Sequence, residues 1–492
     1  MYHMFLLTSA SLAFCTSFAL AADEPSIIQP SEVIAKEINE TEKVKVVDDA
    51  QTINAAIIGA YKNNPALQQQ RYAVLAAHEQ YVQATAGWRP TVDASASMTE
   101  AKKIASGTTK ETSSYPGFSG GTSNTRQGAL TLNQNLYQGG QTTASISKAD
   151  QSVRSAWASL QSTEQDTLFK AVKAFLDLLS QYAQVELYKA SKIAYQKNYE
   201  AAVEKRNIGE ETQTQVANAE AKLAEAEANL RTAEAQLEGL KATYTQITGL
   251  QPAAQLKKPE PPSSLLPGDL QSAVQLAKDQ HPDVIAAQFD HLAAQSETER
   301  IGGGLLPVVD LQAQTTRNEA RSRLEVGNSA QDAHYNDMYT NNQLMLQVKV
   351  PLYEGGAIRS QKRQAHETAV QKRVAIENAR TQVVQLVVQG WQNYQAAKKN
   401  IENYQKQVNA SEVSLEGTKQ EMAVGSKILL DVLNAQAALL EAQLKLVQAE
   451  QAYILEAYRL MSAVGLLNAK YLKLPIEYFN PELHYQVTRG RF

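Results

Sequence analysis

The stretch QTTASISKADQSVRSAWASLQSTEQDTLFKAVKAFLDLLSQYAQVELYKASKIAYQKNYEAAVEKRNIGEETQTQVANAEAKLAEAEANLRTAEAQLEGLKATYTQITG, from Gln141 to Gly249, decides the fold. It is polar and alanine-rich, has no proline, and contains only two internal glycines, Gly209 and Gly239. This composition predicts two very long helices that turn at Gly209. From Gln141 to Ile208 a helix rising ~1.5 Å per residue runs for roughly 100 Å, whereas globular helices usually stop after about 10 to 14 residues. Such a helix is a strut. On the returning arm, Leu223, Ala226, Leu230, Ala233, Leu237 and Leu240 alternate at three and four residues, the seam of a left-handed coiled coil. Two of these six positions are alanine, which lets several backbones approach closely side by side.

The unit occurs twice. LYQGG at Leu136 to Gly140 returns as LYEGG at Leu352 to Gly356, and Gly209 and Gly249 return as Gly425 and Gly465, each pair 216 apart. Pro65 and Pro90 return as Pro282 and Pro307, 217 apart. One offset kept over so much chain means tandem duplication. The repeats span 51–250 and 269–467, joined by the proline-rich linker QPAAQLKKPEPPSSLLPG at 251–268 and followed by a tail, 468–492, expected to be irregular.

With 492 residues, a formal net charge of -4 and no polybasic run, the chain has no signature of a nucleic-acid partner. Residues 1–21 read as a signal peptide ending Ala19-Leu20-Ala21, although His3 stands where a lysine or arginine is usual. Phe14 ahead of Cys15 argues against lipid attachment, and cleavage after Ala21 removes the only cysteine, so no disulfide is expected. Residues 22–50 form an acidic, loosely ordered arm. Past the signal no stretch reaches the ~18 to 20 apolar residues of a spanning helix.

A helical pattern starts at Thr52, and Asn64 followed by Pro65 caps a second helix that ends near Gly87. That helix, about 31 Å long, and the return arm from Glu210 to Thr248, about 58 Å, placed end to end nearly match the long strut. After Trp88 the period becomes two: Val92, Ala94, Ala96 and Met98 oppose Asp93, Ser95 and Ser97, and Leu130 and Leu132 oppose Thr131 and Asn133. The second repeat does the same with Val309, Leu311 and Ala313, then Leu344, Leu346, Val348 and Val350. Four strands of about ten residues are expected, with polar surface loops at 100–126 and 316–341. One apolar and one polar face fit either a half-buried soluble sheet or the wall of a membrane barrel. Four strands cannot close a barrel, whose minimum is about eight, so in a membrane several chains must share one.

No enzyme is visible: there is no HExxH, no mature cysteine nucleophile and no phosphate loop, and no cofactor or metal is expected. The glycine pairs Gly139/Gly140 and Gly355/Gly356 lie between strand and helix without GxxxxGK[ST] spacing, and read as freedom for the turn.

The signal peptide, the duplicated helix-strand-loop-strand-helix unit, LYxGG at each strand-to-helix junction and IG or VG at each hairpin tip together resemble the TolC family of outer-membrane export channels, from about Thr52 to Leu467. The resemblance implies a mainly α fold with a membrane β-barrel portion: a homotrimer whose twelve-stranded barrel, four strands per chain, continues into a periplasmic coiled-coil barrel. It implies an exit duct in the outer-membrane lipid for type I protein secretion or multidrug efflux, working with a periplasmic adaptor and an inner-membrane ABC or RND transporter. Phe479-Asn480-Pro481 to His484-Tyr485 resembles the tail of members serving protein secretion. A different reading is a trimeric coiled-coil stalk or adhesin, though that class carries a single C-terminal anchor.

By the same resemblance, Asp431 projects into the tunnel, where three copies form a carboxylate ring that attracts cations. Asn434 stands where some members carry a second acid. An acid in a first helical turn is equally what the macrodipole favours. Lys427 and Gln215 occupy the places of polar links between tip helices, and Ile208, Gly209, Val424 and Gly425 those of adaptor docking. Glu210 and Glu211 read as solvated acids.

Overall fold

The computed structural model describes residues 50–104, 118–326 and 333–490. The expected signal peptide and all of the N-terminal arm before Ala50 lie outside the described residues, as do 105–117 and 327–332 within the two connections. Two struts, α3 (Gln141–Asn207) and α7 (Ala357–Ala423), have 67 residues each, and their return arms, α4 (Gln213–Thr248) and α8 (Leu429–Val464), have 36 each. The repeat inferred from a few glycines is thus kept residue for residue.

The shorter helices repeat as well. α1 (Ile53–Asn63) and α2 (Pro65–Thr85) correspond to α5 (Leu270–Gln280) and α6 (Pro282–Gly303). At the break between α1 and α2 the Asn64 side chain accepts from the Ala66 and Leu67 amides. His281 takes its place in the second repeat, its Nδ1 accepting from the Asp283 amide at 3.2 Å. Proline follows both caps, where its missing N–H leaves no donor unmet.

The linker does not swing free. Gln255–Leu256 (β4) pairs in parallel with Ala50–Gln51 (β1), and Gln51 Oε1 accepts from Tyr244 Oη at 3.2 Å and from the Ala253 amide at 3.1 Å. Behind it the main core gathers Leu168, Val172, Phe175, Leu176 and Leu178 of α3 with Ile57, Tyr244, Met461 and Leu467. On α4 the buried line runs Val216, Ala219, Ala226, Ala233, Leu237, Tyr244. Leu223, Leu230 and Leu240 of the expected seam are only partly buried. Alanine therefore carries the close contact, and leucine flanks it.

The sheet is longer than the sequence suggested. Its strands are β2 (Thr91–Ile104), β3 (Phe118–Gln138), β5 (Val308–Val326) and β6 (Ala333–Lys349), antiparallel in the order β2-β3-β5-β6. Much of what was expected to be surface loop is thus strand, because ladder pairing continues after the apolar residues stop. The apolar parity is exposed, with Val92 at 61%, Leu344 at 74% and Leu346 at 61%. No layer among the described residues covers that face, as expected of a lipid-facing wall rather than of a sheet half-buried within its own chain. Edge strands β2 and β6 have no outer partner among them.

The tail also departs from expectation. Its end, Pro481–Gly490, is a helix, α9, packed on α2. Tyr485 Oη donates to Asp150 at 2.7 Å, and Asp150 also holds Arg154 at 3.0 Å. Tyr485 packs against His78, Tyr81 and Trp157, and the Arg489 guanidinium lies over the Tyr81 ring. His78 is fully buried; Trp157 Nε1 donates to its Nε2 at 2.9 Å, so its own proton sits on Nδ1, 2.8 Å from His484 Nδ1. Protonating either imidazole sets two N–H groups against each other.

Two outcomes follow from this geometry. Gly139 and Gly355 both have positive φ, +60° and +61°, but a Cβ on Gly139 would collide with the Gly303 carbonyl oxygen while one on Gly355 would meet open space. Gly355→Ala should cost about 1 kcal/mol for the left-handed backbone and Gly139→Ala at least twice that, read as the difference in thermal unfolding midpoints; equal shifts would contradict the packing. Burial, then the neighbouring His484, lowers the His78 pKa from 6.5 to about 4. Because the folded value lies below the undocked one, α9 docking is at full strength above about pH 6.5 and is lost as pH falls towards 4. Trp157 fluorescence should follow that loss, and His78→Gln should flatten the profile; an unchanged profile would remove His78 from it.

Candidate functional site

The two hairpin tips are built alike and finished differently. α3 ends with the Gly209 amide donating to Arg206 O at 2.9 Å and the Glu210 amide to Lys205 O at 2.8 Å. α7 ends with the Gly425 amide on Met422 O at 3.0 Å and the Ser426 amide on Glu421 O at 2.9 Å. Both glycines have φ +83°, the left-handed residue that lets a helix stop while its last carbonyls stay paired. Each tip therefore turns at a fixed point.

The start of each return arm is where the halves diverge. In the first, Thr212 is the N-cap and its Oγ1 accepts from the Gln215 amide at 3.3 Å. In the second, Ile428 stands at the cap and cannot accept with its side chain. Instead Asp431, the counterpart of Gln215 by the 216-residue offset, reaches back and its Oδ2 accepts from the Ile428 amide at 3.2 Å. Either way one free amide at the helix start is satisfied.

Asp431 is half-buried, and Lys427 and Asn434 are exposed. Within one chain the structure joins Asp431 to the Ile428 amide, the first-turn alternative, and does not join Lys427 to Gln215. Gln215 Oε1 is instead buried without a hydrogen-bond partner among the described residues, and so is Glu211 Oε2. Glu210 is exposed as expected, but Glu211 is not fully solvated, which corrects its sequence reading. The back-capping by Asp431 was recoverable by setting Thr212-x-x-Gln215 over Ile428-x-x-Asp431. The burial of Glu211 had no sequence signal.

The apolar residues ahead of the glycines face outward, Ile208 at 70% and Val424 at 81% exposed. Behind the tips a small separate core joins Tyr195, Ala202, Val216 and Ala219 to Leu429 and Leu433. It is fixed by Asn198 Nδ2 donating to Gln436 Oε1 at 2.8 Å. The site is thus a pair of turns on a thin apolar seat, with the exposed Lys427 and the half-buried Asp431 at its surface and two unpartnered acceptors, Gln215 Oε1 and Glu211 Oε2, buried beneath.

Comparison with known proteins agrees with this arrangement. The family described as outer membrane efflux protein matches residues 57–250 and again 273–466. The outer membrane efflux protein BepC of Brucella suis is 28% identical over 443 residues, 90% of this chain and 91% of that protein. The outer membrane protein TolC of Escherichia coli is 24% identical over 63% of each. Among solved structures, CusC, a transmembrane channel, superposes with a TM-score of 0.70 at 16% identity, covering 85% of this chain and 92% of its own. With both matched segments falling on the two structural repeats, the chain belongs to the outer membrane efflux protein family, the TolC-like channel proteins of the outer membrane.

Proposed function

We propose that three copies of this chain assemble into one duct and that the tips of α3–α4 and α7–α8 form its periplasmic gate and docking end. The observation that carries the assembly is the four-stranded sheet with two unpaired edges and an exposed apolar face. Such a sheet is tolerated in a bilayer only when its edges meet those of other copies. The duct passes protein or small-molecule cargo delivered by an inner-membrane ABC or RND transporter through a periplasmic adaptor.

At the gate, Asp431 has two roles that one side chain can fill together. One oxygen holds the Ile428 amide, and the carboxylate charge, tripled by symmetry, faces the tunnel and concentrates cations at the entrance. Lys427 of one copy links to Gln215 of its neighbour, whose side-chain oxygen, buried and unpartnered within its own chain, turns outward to accept. Gln215 has no charge, so this link is weaker than an ion pair. An adaptor that binds better to splayed than to closed tips opens the duct by shifting that balance.

Substitution separates the two roles of Asp431. In planar bilayers, Asp431→Asn keeps the cap but removes the charge, and should raise the concentration of a trivalent cation needed for half-block by on the order of tenfold with unchanged thermal stability. Asp431→Ala should show the same block and lose about 1 kcal/mol as well. Equal block in Asp431→Asn and wild type would move the cation site elsewhere. At the docking end, Ile208→Asp with Val424→Asp should weaken binding to the cognate adaptor about tenfold or more by loss of apolar contact. Single-channel conductance should be untouched. Full adaptor affinity in that variant would exclude the two exposed residues as contacts.

A further inference from the structure

The sheet carries a set of cations that the duct itself does not use. Following the ladder upward from the apolar band, the outward parity runs Ala96, Gly128, Arg317, Thr340, then Met98, Arg126, Glu319, Met338, then Glu100, Asn124, Arg321, Asn336. The inward positions between these rows hold Ser97, Gln127, Asn318, Tyr339 and then Thr99, Thr125, Ala320, Asp337. Arginine is confined to the outward face, and the inward face of the same rows has one charge, Asp337. A solvated extension would scatter charge over both faces.

Their height is specific too. Eight residues of β6 separate Val348, its last outward residue, from Thr340 beside Arg317, and the row just below, Thr315 and Asn342, is already polar. At ~3.4 Å per residue and ~40° tilt they climb about 21 Å, against about 25 Å for the apolar band of a membrane barrel. The arginines therefore start near the upper rim of the hydrocarbon. The lower limit carries exposed Trp88, Tyr137 and Tyr353, the usual interfacial girdle. At the upper limit no outward aromatic is present among the described side chains.

Neutralisation inside the sheet is incomplete. Arg321 pairs with Glu319 at 2.7 Å, and among the described residues Arg317 Nη2 meets only the Met338 sulfur at 3.3 Å. Arg126 has no ion-pair partner among the described residues, although Glu319 lies across from it in the ladder. Arg126, Arg317 and Arg321 lie on β3 and β5, the two inner strands, so closing a barrel through the edges leaves them uncovered.

From this segregation we infer that Arg126, Arg317 and Arg321 form a belt that binds the phosphate-bearing headgroups of outer-leaflet glycolipid, and holds the duct at its depth in the membrane. Guanidinium groups above an apolar wall match a ligand whose acyl chains lie along that wall and whose phosphates sit at its rim. The inference rests on the sheet being barrel wall, and the experiment tests the two separately.

The full-length protein is reconstituted into phosphatidylcholine nanodiscs doped with purified lipopolysaccharide or with the same lipid enzymatically dephosphorylated. Bound glycolipid is counted by native mass spectrometry, and conductance is recorded in parallel. Wild type should retain the phosphorylated lipid, and Arg126→Gln/Arg317→Gln/Arg321→Gln should lose it by about tenfold or more while conducting normally. The triple lysine variant should keep most of the binding, which guards against a misfolded glutamine variant. Equal retention of phosphorylated and dephosphorylated lipid, or by wild type and the glutamine variant, in protein that conducts overturns the belt alone. Wild type that neither conducts nor binds overturns the barrel as well.

Discussion

A backbone amide or carbonyl in hydrocarbon has no water to turn to, and the rest of the architecture depends on that. Four strands in the order β2-β3-β5-β6 satisfy their inner edges and leave β2 and β6 open. The cost of each unpaired group is several kcal/mol, far more than any side-chain contact on the sheet could offset. The chain's solution is to place strands in the middle of each repeat, between α2 and α3 and between α6 and α7. Each repeat then delivers one hairpin to a shared wall and one helical hairpin to the tunnel beneath it. Struts of 67 residues beside arms of 36 keep the two repeats in step at both ends.

Duplication fixed the backbone more tightly than the side chains. Both tips turn on a glycine at φ +83°, yet Thr212 caps one return arm from in front and Asp431 caps the other from behind. Asn64 is replaced by His281 at equivalent caps. Gly139 packs against Gly303 while Gly355 faces open space. Each pair solves one backbone problem with different chemistry, which leaves the second repeat free to put a carboxylate at its tip.

What could be read from the sequence follows from what leaves a periodic trace. A proline-free run between glycines has little choice but helix, so the struts were legible to within a residue or two. The strands were legible only over their apolar half. From Thr315 to Arg323 on β5 both faces are polar, the two-residue alternation vanishes, and the sequence looks like loop although pairing with β6 continues to Leu324. The tail helix was missed because its ten residues are held by tertiary contacts, His484 and Tyr485 against α2 and α3, rather than by a seam of its own. The tip site was half legible. Asp431 stood out through the resemblance, and its bond to the Ile428 amide was readable by aligning the two tips, but the unpartnered oxygens of Gln215 and Glu211 depend on burial that no local pattern encodes.

The division of the apolar residues into separate cores bears on how such a tip can move. The main core around Phe175, Tyr244 and Met461 ties both repeats to the linker. The tip core of Tyr195, Val216, Leu429 and Leu433 is a small cluster of its own. Between them the return arm α4 is seated mainly by Ala226 and Ala233, each of which buries little area, so separating the arms near the tip loses far less than opening the centre. The capped turns at Gly209 and Gly425 can therefore travel as rigid ends. Movement of the tips relative to one another draws on the few contacts of the small core and leaves the membrane sheet, whose pairing is obligatory, undisturbed.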